Sequence, residues 1–364
     1  MTAQLSQTER KLIALIFRNK TMARTDLAEA TGLTGASVTR LINRLQEDGF
    51  FHETRTRTGA QGQPKRNLAL NPDRFFSIGI VFSLRTMELA LLNFRGAICA
   101  TRHRILSGAR PEDVARAAAS GVADLSRNLP PDSLLGVGVS LPGNFGTYRD
   151  LLVAHELFDQ LGDDRVITAL RSAFDIPVHI ENDGTSAAIA EFMLGEGVRD
   201  EDPLFFLHIG HGVGGGAILD GKPYRGAHGN ACLPGFLFPY EELRPSGQDL
   251  LKHMNNAGHK IEDLDGLTQP ASGLAADLDA WIDRASQQIA LAQRAITGFF
   301  DPAEIVLGGR LPGWINKELV ERAATARLPG PSRGLPNAPL KTSAFGPEGG
   351  AIGAACLPLF ETFL

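Results

Sequence analysis

The sequence predicts a small winged helix-turn-helix domain followed by a larger α/β domain. Three observations support this fold class. Three short helices with periodic apolar residues and a basic hairpin fill residues 1–74. From residue 75 onward, strand-like runs alternate with helix-like runs, which is the pattern of an α/β fold. The two parts also differ in the sign of their net charge.

Basic and acidic residues are divided unevenly along the chain. Residues 1–75 hold 12 Lys and Arg against 7 Asp and Glu, a net charge of +5. The remaining residues hold 24 basic and 34 acidic side chains, a net charge of −10, so the whole chain carries −5. A basic domain in front of an acidic one is expected where only the first domain meets a polyanion. The alternative is that the charge of small domains simply fluctuates.

Composition excludes several other classes of protein. The chain of 364 residues is 43% hydrophobic and 21% charged, as in ordinary globular proteins. No apolar run reaches the roughly 18 residues that span a bilayer, and residues 1–6 lack a signal-peptide pattern. No Cys-x-x-Cys pair occurs among Cys99, Cys232 and Cys356. We therefore expect a cytoplasmic protein with no membrane contact and no cysteine-rich zinc site.

The first domain begins with three predicted helices. Apolar residues at helical spacing predict the first helix over residues 8–19. Thr25 is expected to cap a second helix over residues 26–31, which Gly32 ends with a turn. Thr34 is expected to cap the third helix. The buried face of that helix is predicted from the i, i+3, i+4, i+7 spacing of Val38, Leu41, Ile42 and Leu45.

The third helix has the composition of a DNA recognition helix. Small residues at its start allow close approach to a groove, and its polar face carries donors for base edges and phosphates. We expect Thr39, Arg40 and Asn43 to read bases while Arg44 contacts the DNA backbone. The candidate DNA-binding residues of this helix are Thr34, Ser37, Thr39, Arg40, Asn43 and Arg44.

A basic hairpin over residues 52–70 forms the predicted wing, with its turn at residues 58–64. A wing of this kind contacts the DNA backbone or the minor groove. The alternative is a helical protein-interaction domain with solvated charges, which accounts for the helices but not for the basic wing. The candidate DNA-binding residues of the wing are Arg55, Arg57, Gln63, Lys65 and Arg66.

The body follows a short link at residues 71–73. Its first part alternates between the two kinds of element, which predicts a mostly parallel sheet covered by helices. Strands are predicted over residues 75–81, 87–94, 134–140 and 177–181, and helices over residues 111–128 and 166–174.

Five segments of the body occur in an informative order. They read Gly-Val-Ser-Leu-Pro-Gly-Asn at 138–144, Ile-Pro-Val-His-Ile-Glu-Asn-Asp at 176–183, Gly-His-Gly-Val-Gly-Gly-Gly at 210–216, Gly-Lys-Pro-Tyr-Arg-Gly-Ala-His-Gly at 221–229 and Asp-Pro-Ala-Glu-Ile-Val-Leu-Gly-Gly at 301–309. Together they resemble the ROK family (repressors, open reading frames and sugar kinases). The winged helix resembles that of the repressor branch.

This resemblance implies the actin-like sugar kinase fold, in which two α/β lobes surround a cleft. The implied small lobe covers residues 75–184, and a last helix over about 347–364 returns to it. The implied large lobe covers residues 185–346. The resemblance also implies a homodimer or a homotetramer.

The resemblance assigns several residues of the cleft. Asp183 matches the family's catalytic Asp, and Asn182 matches a sugar-contacting position. Gly214, Gly215 and Gly216 match a second phosphate-binding turn. Two plainer interpretations remain open: Asp183 caps a helix that begins at Gly184, and the glycines serve a tight turn.

The kinase chemistry is expected to be lost, because the sequence departs from the family at three places. The first phosphate loop, Asp-x-Gly-Gly-Thr in the family, reads Val-Phe-Ser-Leu-Arg at 81–85. Leu233 and Phe236 replace the Glu and His of a sugar and zinc motif, and residues 241–250 contain no cysteine. We therefore expect Asp183 to be vestigial, and we expect no cofactor and no structural zinc.

The resulting hypothesis is a transcription regulator, acting as a repressor, whose degenerate kinase domain senses a sugar or related metabolite. Its partners would be double-stranded operator DNA and that small molecule. The alternative is an ATP-dependent sugar kinase with an attached DNA-binding domain. The candidate effector-binding residues are Pro142, Gly143, Asn144, Asn182, Asp183, His211, His228 and Gly229, with Gly214, Gly215 and Gly216 as a phosphate-turn remnant.

Overall fold

The computed structural model describes the chain from residue 5 to residue 364 with several gaps. The described residues are 5–56, 65–83, 86–106, 108, 110–145, 152–153, 165–195, 203–239, 241–269, 275–326 and 336–364. The predicted wing turn at 58–64, which includes Gln63, lies outside them, and so does the neighbouring Arg57.

In the described residues, the predicted DNA-binding domain consists of three helices and a three-stranded antiparallel sheet in the order β1-β3-β2. Ser6 and Glu9 form a capping box at the start of the first helix. The apolar faces of the helices meet in a buried core. The elements are α1 (Gln7–Asn19), β1 (Met22–Ala23), α2 (Arg24–Thr31), α3 (Gly35–Glu47), β2 (Phe51–Thr56) and β3 (Lys65–Leu70).

The caps of the two later helices differ from each other. The side chain of Thr34 accepts a hydrogen bond from the backbone N–H of Ser37, so the predicted cap of α3 is confirmed. The prediction for Thr25 is wrong. Met22 and Ala23 pair with β3, so α2 begins earlier, at Arg24, and the N-cap residue Ala23 makes no side-chain cap.

The body contains two five-stranded sheets, and the first has the order β10-β7-β4-β5-β6. Strands β10, β7 and β4 run parallel, while β5 and β6 are antiparallel neighbours at one edge. Its elements are β4 (Phe76–Phe82), β5 (Thr86–Asn93), β6 (Ile98–Ile105), α4 (Pro111–Ser126), β7 (Leu134–Leu141), α5 (Arg165–Ser172) and β10 (Val178–Asn182), with a separate ribbon of β8 (Asn144–Phe145) and β9 (Leu152–Val153).

The second sheet has the order β13-β12-β11-β14-β15, in which β11, β14 and β15 are parallel. One side of each sheet has a core of its own, whereas Leu204, Phe206, Ile218 and Val306 of the second sheet share a third core with Leu92 of the first. The elements of this part are α6 (Asp183–Leu194), β11 (Leu204–Ile209), β12 (Val213–Leu219), β13 (Lys222–Pro223), α7 (Gly247–Asn256), α8 (Ala276–Phe300), β14 (Glu304–Gly309), α9 (Gly313–Thr325), β15 (Leu340–Thr342) and α10 (Gly349–Phe363).

Helix α10 lies directly against the first sheet. A Cβ atom at Gly79 would lie 2.0 Å from the carbonyl oxygen of Ala351, and one at Gly138 would lie 1.8 Å from that of Ala354. The missing side chains therefore allow the helix backbone to approach the strands. Ser77 Oγ also donates to the carbonyl oxygen of Ala355 at 2.7 Å.

The DNA-binding domain packs on the body through four aromatic rings. Phe50 follows α3, Phe75 and Phe94 flank β4 and β5, and Phe363 ends α10. Their ring centroids lie 4.9 to 6.0 Å apart. These rings belong to one hydrophobic core that continues from the DNA-binding domain into the body. The two domains are therefore joined by apolar packing as well as by the chain.

Candidate functional site

Helix α3 presents a polar surface to solvent. Val38, Ile42 and Leu45 are buried, which fixes the rotation of the helix. Thr39, Arg40, Asn43 and Arg44 are exposed on the opposite side, while Thr34 and Ser37 form its cap at the start.

Two of these candidates already have partners within the domain. Arg44 Nη2 lies 2.6 Å from Oε1 of Glu9, whose side chain is buried. Asn43 Oδ1 accepts a hydrogen bond from Arg24 Nη2 at 3.2 Å, and the same nitrogen donates to Gln46 at 2.6 Å. Arg24 was not identified from the sequence, because it meets these residues only through the packing of α2 on α3.

The wing is described as far as the ends of its two strands. Strand β2 pairs with β3, so that Arg55 lies opposite Arg66 and Thr56 lies opposite Lys65. The exposed side chain of Arg66 lies 3.5 Å from the carboxylate of Glu53. The pairing places the backbone of these basic residues at the described ends of the two strands.

A cleft of about 430 Å³ opens between residues of the two sheets. Six of the eight candidate effector-binding residues line it: Pro142, Gly143, Asn144, Asn182, Asp183 and His211. His228 and Gly229 do not line it. His228 is exposed on a turn whose glycines, Gly226 and Gly229, have positive φ angles.

Asn182 and Asp183 lie where β10 ends and α6 begins. Asn182 Oδ1 accepts hydrogen bonds from the N–H groups of Gly184 and Thr185, at 2.9 and 3.2 Å. Asn182 Nδ2 donates to the carbonyl oxygen of Gly143 at 2.7 Å. Asn182 is therefore the N-cap of α6, and the expectation that Asp183 caps a helix from Gly184 is wrong. Asp183 is the first helical residue, and its carboxylate borders the cleft.

Beside Asp183 lies His208, which the sequence analysis missed. His208 is buried in β11, and its Nε2 lies 3.4 Å from Asp183 Oδ2. Within the described part of the chain, neither ring nitrogen has a hydrogen-bond partner. The signal in the sequence was weak, because one histidine in the apolar run of 204–209 is typical of a core strand.

The three matched glycines lie in strand β12 and do not form a turn. Gly214 borders the cleft, whereas a Cβ atom at Gly216 would lie 2.6 Å from the carbonyl oxygen of Gly184. A Cβ atom at Gly184 would in turn lie 2.4 Å from the carbonyl oxygen of Gly215. Gly216 and Gly184 thus let β12 contact the start of α6, which corrects the assignment of Gly215 and Gly216 to a phosphate turn. The nearby turn is at residues 210–212.

Apolar side chains cover much of the cleft wall. Val81 and Phe82, at the position of the family's first phosphate loop, both line it, as do Leu233 and Phe236. Phe236 is 85% exposed at the mouth of the cleft. Leu84 and Arg85 lie outside the described residues.

The cleft is also lined by Arg244 and Arg310, which the sequence analysis did not identify. Arg310 follows β14 directly, and its side chain is only 12% exposed. His211 Nε2 lies 3.7 Å from Asp263 Oδ1, and this interaction with His211 holds the pKa of Asp263 below its usual range. Burial raises the pKa of the Cys232 thiol to about 12, so this cysteine stays protonated.

In the described ranges, no three His, Cys, Asp or Glu side chains lie close enough together to hold a metal ion. Among these same residues, no helix is both long enough and apolar enough to cross a bilayer.

Comparisons with known proteins agree with this architecture. The sequence profile of the ROK family matches residues 78–359, and that of a winged helix-turn-helix DNA-binding domain matches residues 5–51. The chain is 49% identical to the uncharacterized protein y4fQ of Sinorhizobium fredii, across 99% of this chain and 92% of that protein. It is 24% identical to the xylose repressor of Bacillus subtilis, across 61% of this chain and 57% of the repressor.

Two solved structures show the same fold. A ROK family transcriptional regulator, a homologue of the E. coli MLC protein, superposes with a TM-score of 0.68 at 16% identity and covers 98% of this chain and 97% of its own. A ROK hexokinase from Thermus thermophilus gives 0.58 at 22% identity, covering 78% of this chain and 97% of its own. The predicted combination of a winged helix-turn-helix domain with the actin-like ROK fold is confirmed, and the fold is shared by regulators and kinases.

Proposed function

The chain belongs to the ROK family, and from this premise we propose that it is a DNA-binding transcription regulator that acts as a repressor. Its body would bind a sugar or related metabolite and thereby control operator binding. The winged helix-turn-helix domain supports the first part. The relationship to a xylose repressor supports the second. A regulator of this kind works on the chromosome, so we expect it in the cytoplasm.

The observation that carries this proposal is the shared core of the two domains. Helix α6 begins in the cleft, at Asn182 and Asp183. Near its other end, the guanidinium of Arg18 in α1 lies 4.7 Å from the ring centroid of Phe192. A single helix of 12 residues therefore contacts the cleft at one end and the DNA-binding domain at the other.

An effector can control DNA binding only if it binds the DNA-competent and the DNA-incompetent states with different affinity. A ligand that draws the two sheets together would move α6, because the first residues of this helix lie against β12 as well as β10. The motion would then reach α1 and change the position of the recognition helix.

On DNA, Thr39, Arg40 and Asn43 would contact base edges in the major groove, while Arg44 and the wing would contact phosphates. Helix-turn-helix proteins bind pseudo-palindromic sites as dimers, with half-sites one helical turn apart or a multiple of it. We therefore propose a homodimer or homotetramer on operator DNA.

The first test is fluorescence anisotropy of the purified protein on the intergenic DNA beside its own gene, with scrambled DNA of equal length as the control. Saturable binding to the intergenic DNA alone, with a steep dependence on salt, is the expected result. Equal weak binding to both DNAs at every salt concentration, and no operator in a genome-wide search, would contradict the proposal.

One observation favours the second candidate function, an ATP-dependent sugar kinase. Asp183 borders the cleft beside His208, so a carboxylate is available to take a proton from a sugar hydroxyl. Val81 and Phe82 oppose this candidate, because apolar side chains cannot cradle phosphate oxygens. A coupled assay for ADP formation across hexoses and amino sugars separates the two functions, and we expect no turnover.

We also propose that the protein contains no structural zinc. A structural zinc ion needs about four ligands, commonly thiolate or imidazole, and the segment 241–250 contains neither. Metal analysis of untagged protein should give substoichiometric zinc, and one zinc ion per chain would overturn this expectation.

A further inference from the structure

The ionisable side chains of the cleft are mostly basic. Arg244, Arg310, His208 and His211 line it, and Asp183 is the only carboxylate among the described lining residues. With both histidines neutral, these side chains carry one positive charge in excess. A neutral sugar gains nothing from such a surplus, whereas an anion does.

Arg310 is placed firmly at the cleft by its backbone. Strands β11 and β14 are paired in parallel up to Ile209 and Gly309, and the N–H of Arg310 donates to the carbonyl oxygen of Ile209 at 2.9 Å. Gly309 has a φ of +122°, and a Cβ atom there would lie 2.4 Å from that same oxygen. Arg310 thus lies at the carboxyl ends of parallel strands, where open α/β sheets bind their ligands.

The charge of Arg310 is incompletely compensated. Its closest described acidic group is Glu88 of the first sheet, with 3.7 Å between Arg310 Nη2 and Glu88 Oε1, longer than a hydrogen bond. Arg310 Nε is buried, and no described residue provides it with a hydrogen-bond acceptor. Burial raises the pKa of Glu88 despite the opposing influence of Arg310.

His208 is a second group without a hydrogen-bond partner on the same wall. Its side chain is 92% buried, and both of its ring nitrogens lack hydrogen-bond partners among the described residues. His208 pairs in register with Gly308, two residues before Arg310. Two nitrogen-bearing side chains with unused donors therefore reach the cleft from adjacent strands. Buried polar groups of this kind point to a missing partner.

We propose that the cleft binds an anionic sugar derivative, a compound with hydroxyl groups and one carboxylate or phosphate group, and that Arg310 holds the anion. This inference rests on the proposed regulatory function and names the class of its effector. The hydroxyl groups of the ligand would meet Asn144 and Asp183, which also line the cleft. The volume of about 430 Å³ suits a compound of one sugar ring.

The anion would also act on the contact between the sheets. Glu88 belongs to β5 of the first sheet, and Arg310 follows β14 of the second, so their ion pair connects the two sheets. A ligand anion on Arg310 would replace Glu88 as its closest counterion. The binding of an anion would therefore weaken the ion pair between Glu88 and Arg310 that connects the two sheets. The binding of a neutral sugar would leave this ion pair in place.

The test compares neutral sugars with their acids on the full-length protein by isothermal titration calorimetry. The probes are D-xylose with D-xylonate, D-glucose with D-glucuronate and with glucose 6-phosphate, and Mg-ATP. We expect at least one acid or phosphate to bind at least about tenfold more tightly than its neutral counterpart. The comparison of carboxylates with the phosphate ester identifies which anion is used.

Two variants assign the anion to Arg310. Arg310→Gln should weaken binding of the preferred anion by roughly 10- to 100-fold and reduce the difference between acid and neutral sugar. Arg116→Gln makes the same chemical change on the surface of α4, where the side chain is 71% exposed, and it should leave anion binding unchanged. Far-UV circular dichroism of both variants checks that they are folded, and the wild-type comparison of acid with neutral sugar needs no variant.

Several results would overturn the proposal: a neutral sugar that binds as tightly as its acid, no binding of any acid or phosphate, binding of Mg-ATP alone, or unchanged anion binding in folded Arg310→Gln. None of these results depends on DNA. Operator binding by the wild-type protein, measured in parallel by anisotropy, tests the regulatory function separately. Operator binding without anion binding would sink this inference alone.

Discussion

At the scale of single residues, function on DNA depends on which side chains of α3 remain available. Arg40 and Thr39 are exposed. Asn43 and Arg44 are exposed too, but they already contact Arg24 and Glu9. Because an interaction within the protein must be given up or shared before DNA is contacted, we expect Arg40 to contribute more to sequence recognition than Arg44.

Arg40→Ala should weaken binding to the specific operator by about 1–3 kcal/mol and relax the preference at one base position, as expected for loss of a base contact. Anisotropy on operator variants measures both effects. Arg116→Ala, on the surface of the body, is the control and should bind like the wild type. Unchanged affinity and unchanged sequence preference in Arg40→Ala would refute the assigned role.

At the scale of elements, two close contacts of backbone on backbone organise the body. Helix α10 approaches β4 and β7 over Gly79 and Gly138, and the start of α6 approaches β12 over Gly216. No side chain fits at these contacts without movement of the backbone. The helices that connect the cleft to the DNA-binding domain are therefore positioned by glycines that are not among the residues lining the cleft.

Gly138→Ala should destabilise the protein by several kcal/mol, because the new Cβ atom meets the carbonyl oxygen of Ala354. An effect of this size is on the order of the largest that single substitutions have. Urea denaturation measures the change in the free energy of unfolding. Gly298→Ala is a matched control, since Gly298 lies in α8 with open space around its Cα. It should be neutral or stabilising by up to about 1 kcal/mol. Equal stability of the two variants would contradict this packing.

The contact between α1 and the end of α6 gives a second prediction at this scale. Arg18→Met keeps the length of the side chain but removes the charge over the ring of Phe192. We expect the effector to change operator affinity less in this variant, by about 0.5–2 kcal/mol of coupling free energy. Arg10→Met, exposed on the same helix, should retain the full response. Effector titrations followed by anisotropy compare them, and an unchanged response in Arg18→Met would exclude this route.

At the scale of the whole molecule, the DNA-binding domain is docked on the body. Besides the four aromatic rings, Arg95 of the turn between β5 and β6 donates to the carbonyl oxygen of Leu70 at 2.8 Å. Its Nη2 also lies 2.9 Å from His52 Nε2. The orientation of the recognition helix is thus determined by contacts with the body. In a regulator with a flexibly tethered DNA-binding domain, no such contacts could transmit a change in the body to the DNA-binding domain.

Phe363→Ala removes the ring that α10 contributes to the aromatic cluster, and it should lower the free energy of unfolding by about 3–5 kcal/mol. We also expect faster proteolytic cleavage near residues 71–74, because the two domains separate more readily. Phe299→Ala, where the ring is 86% exposed on α8, is the control and should cost little. Chemical denaturation and limited proteolysis check both variants. Equal cleavage rates would show that the ring does not hold the domains together.

The sequence by itself determined the two domains, the buried face and cap of α3, the family, and six of the residues that line the cleft. The buried face and the cap of α3 follow from local patterns, because periodicity and capping arise between residues close together in the chain. The family and the cleft residues follow from the resemblance of five segments to ROK proteins. The tertiary structure alone decided the rest. Residues from adjacent strands or packed helices meet only after folding. The sequence therefore did not identify Arg24, His208 and Arg310. It also did not reveal that His228 lies outside the cleft or that Gly215 and Gly216 contact a helix.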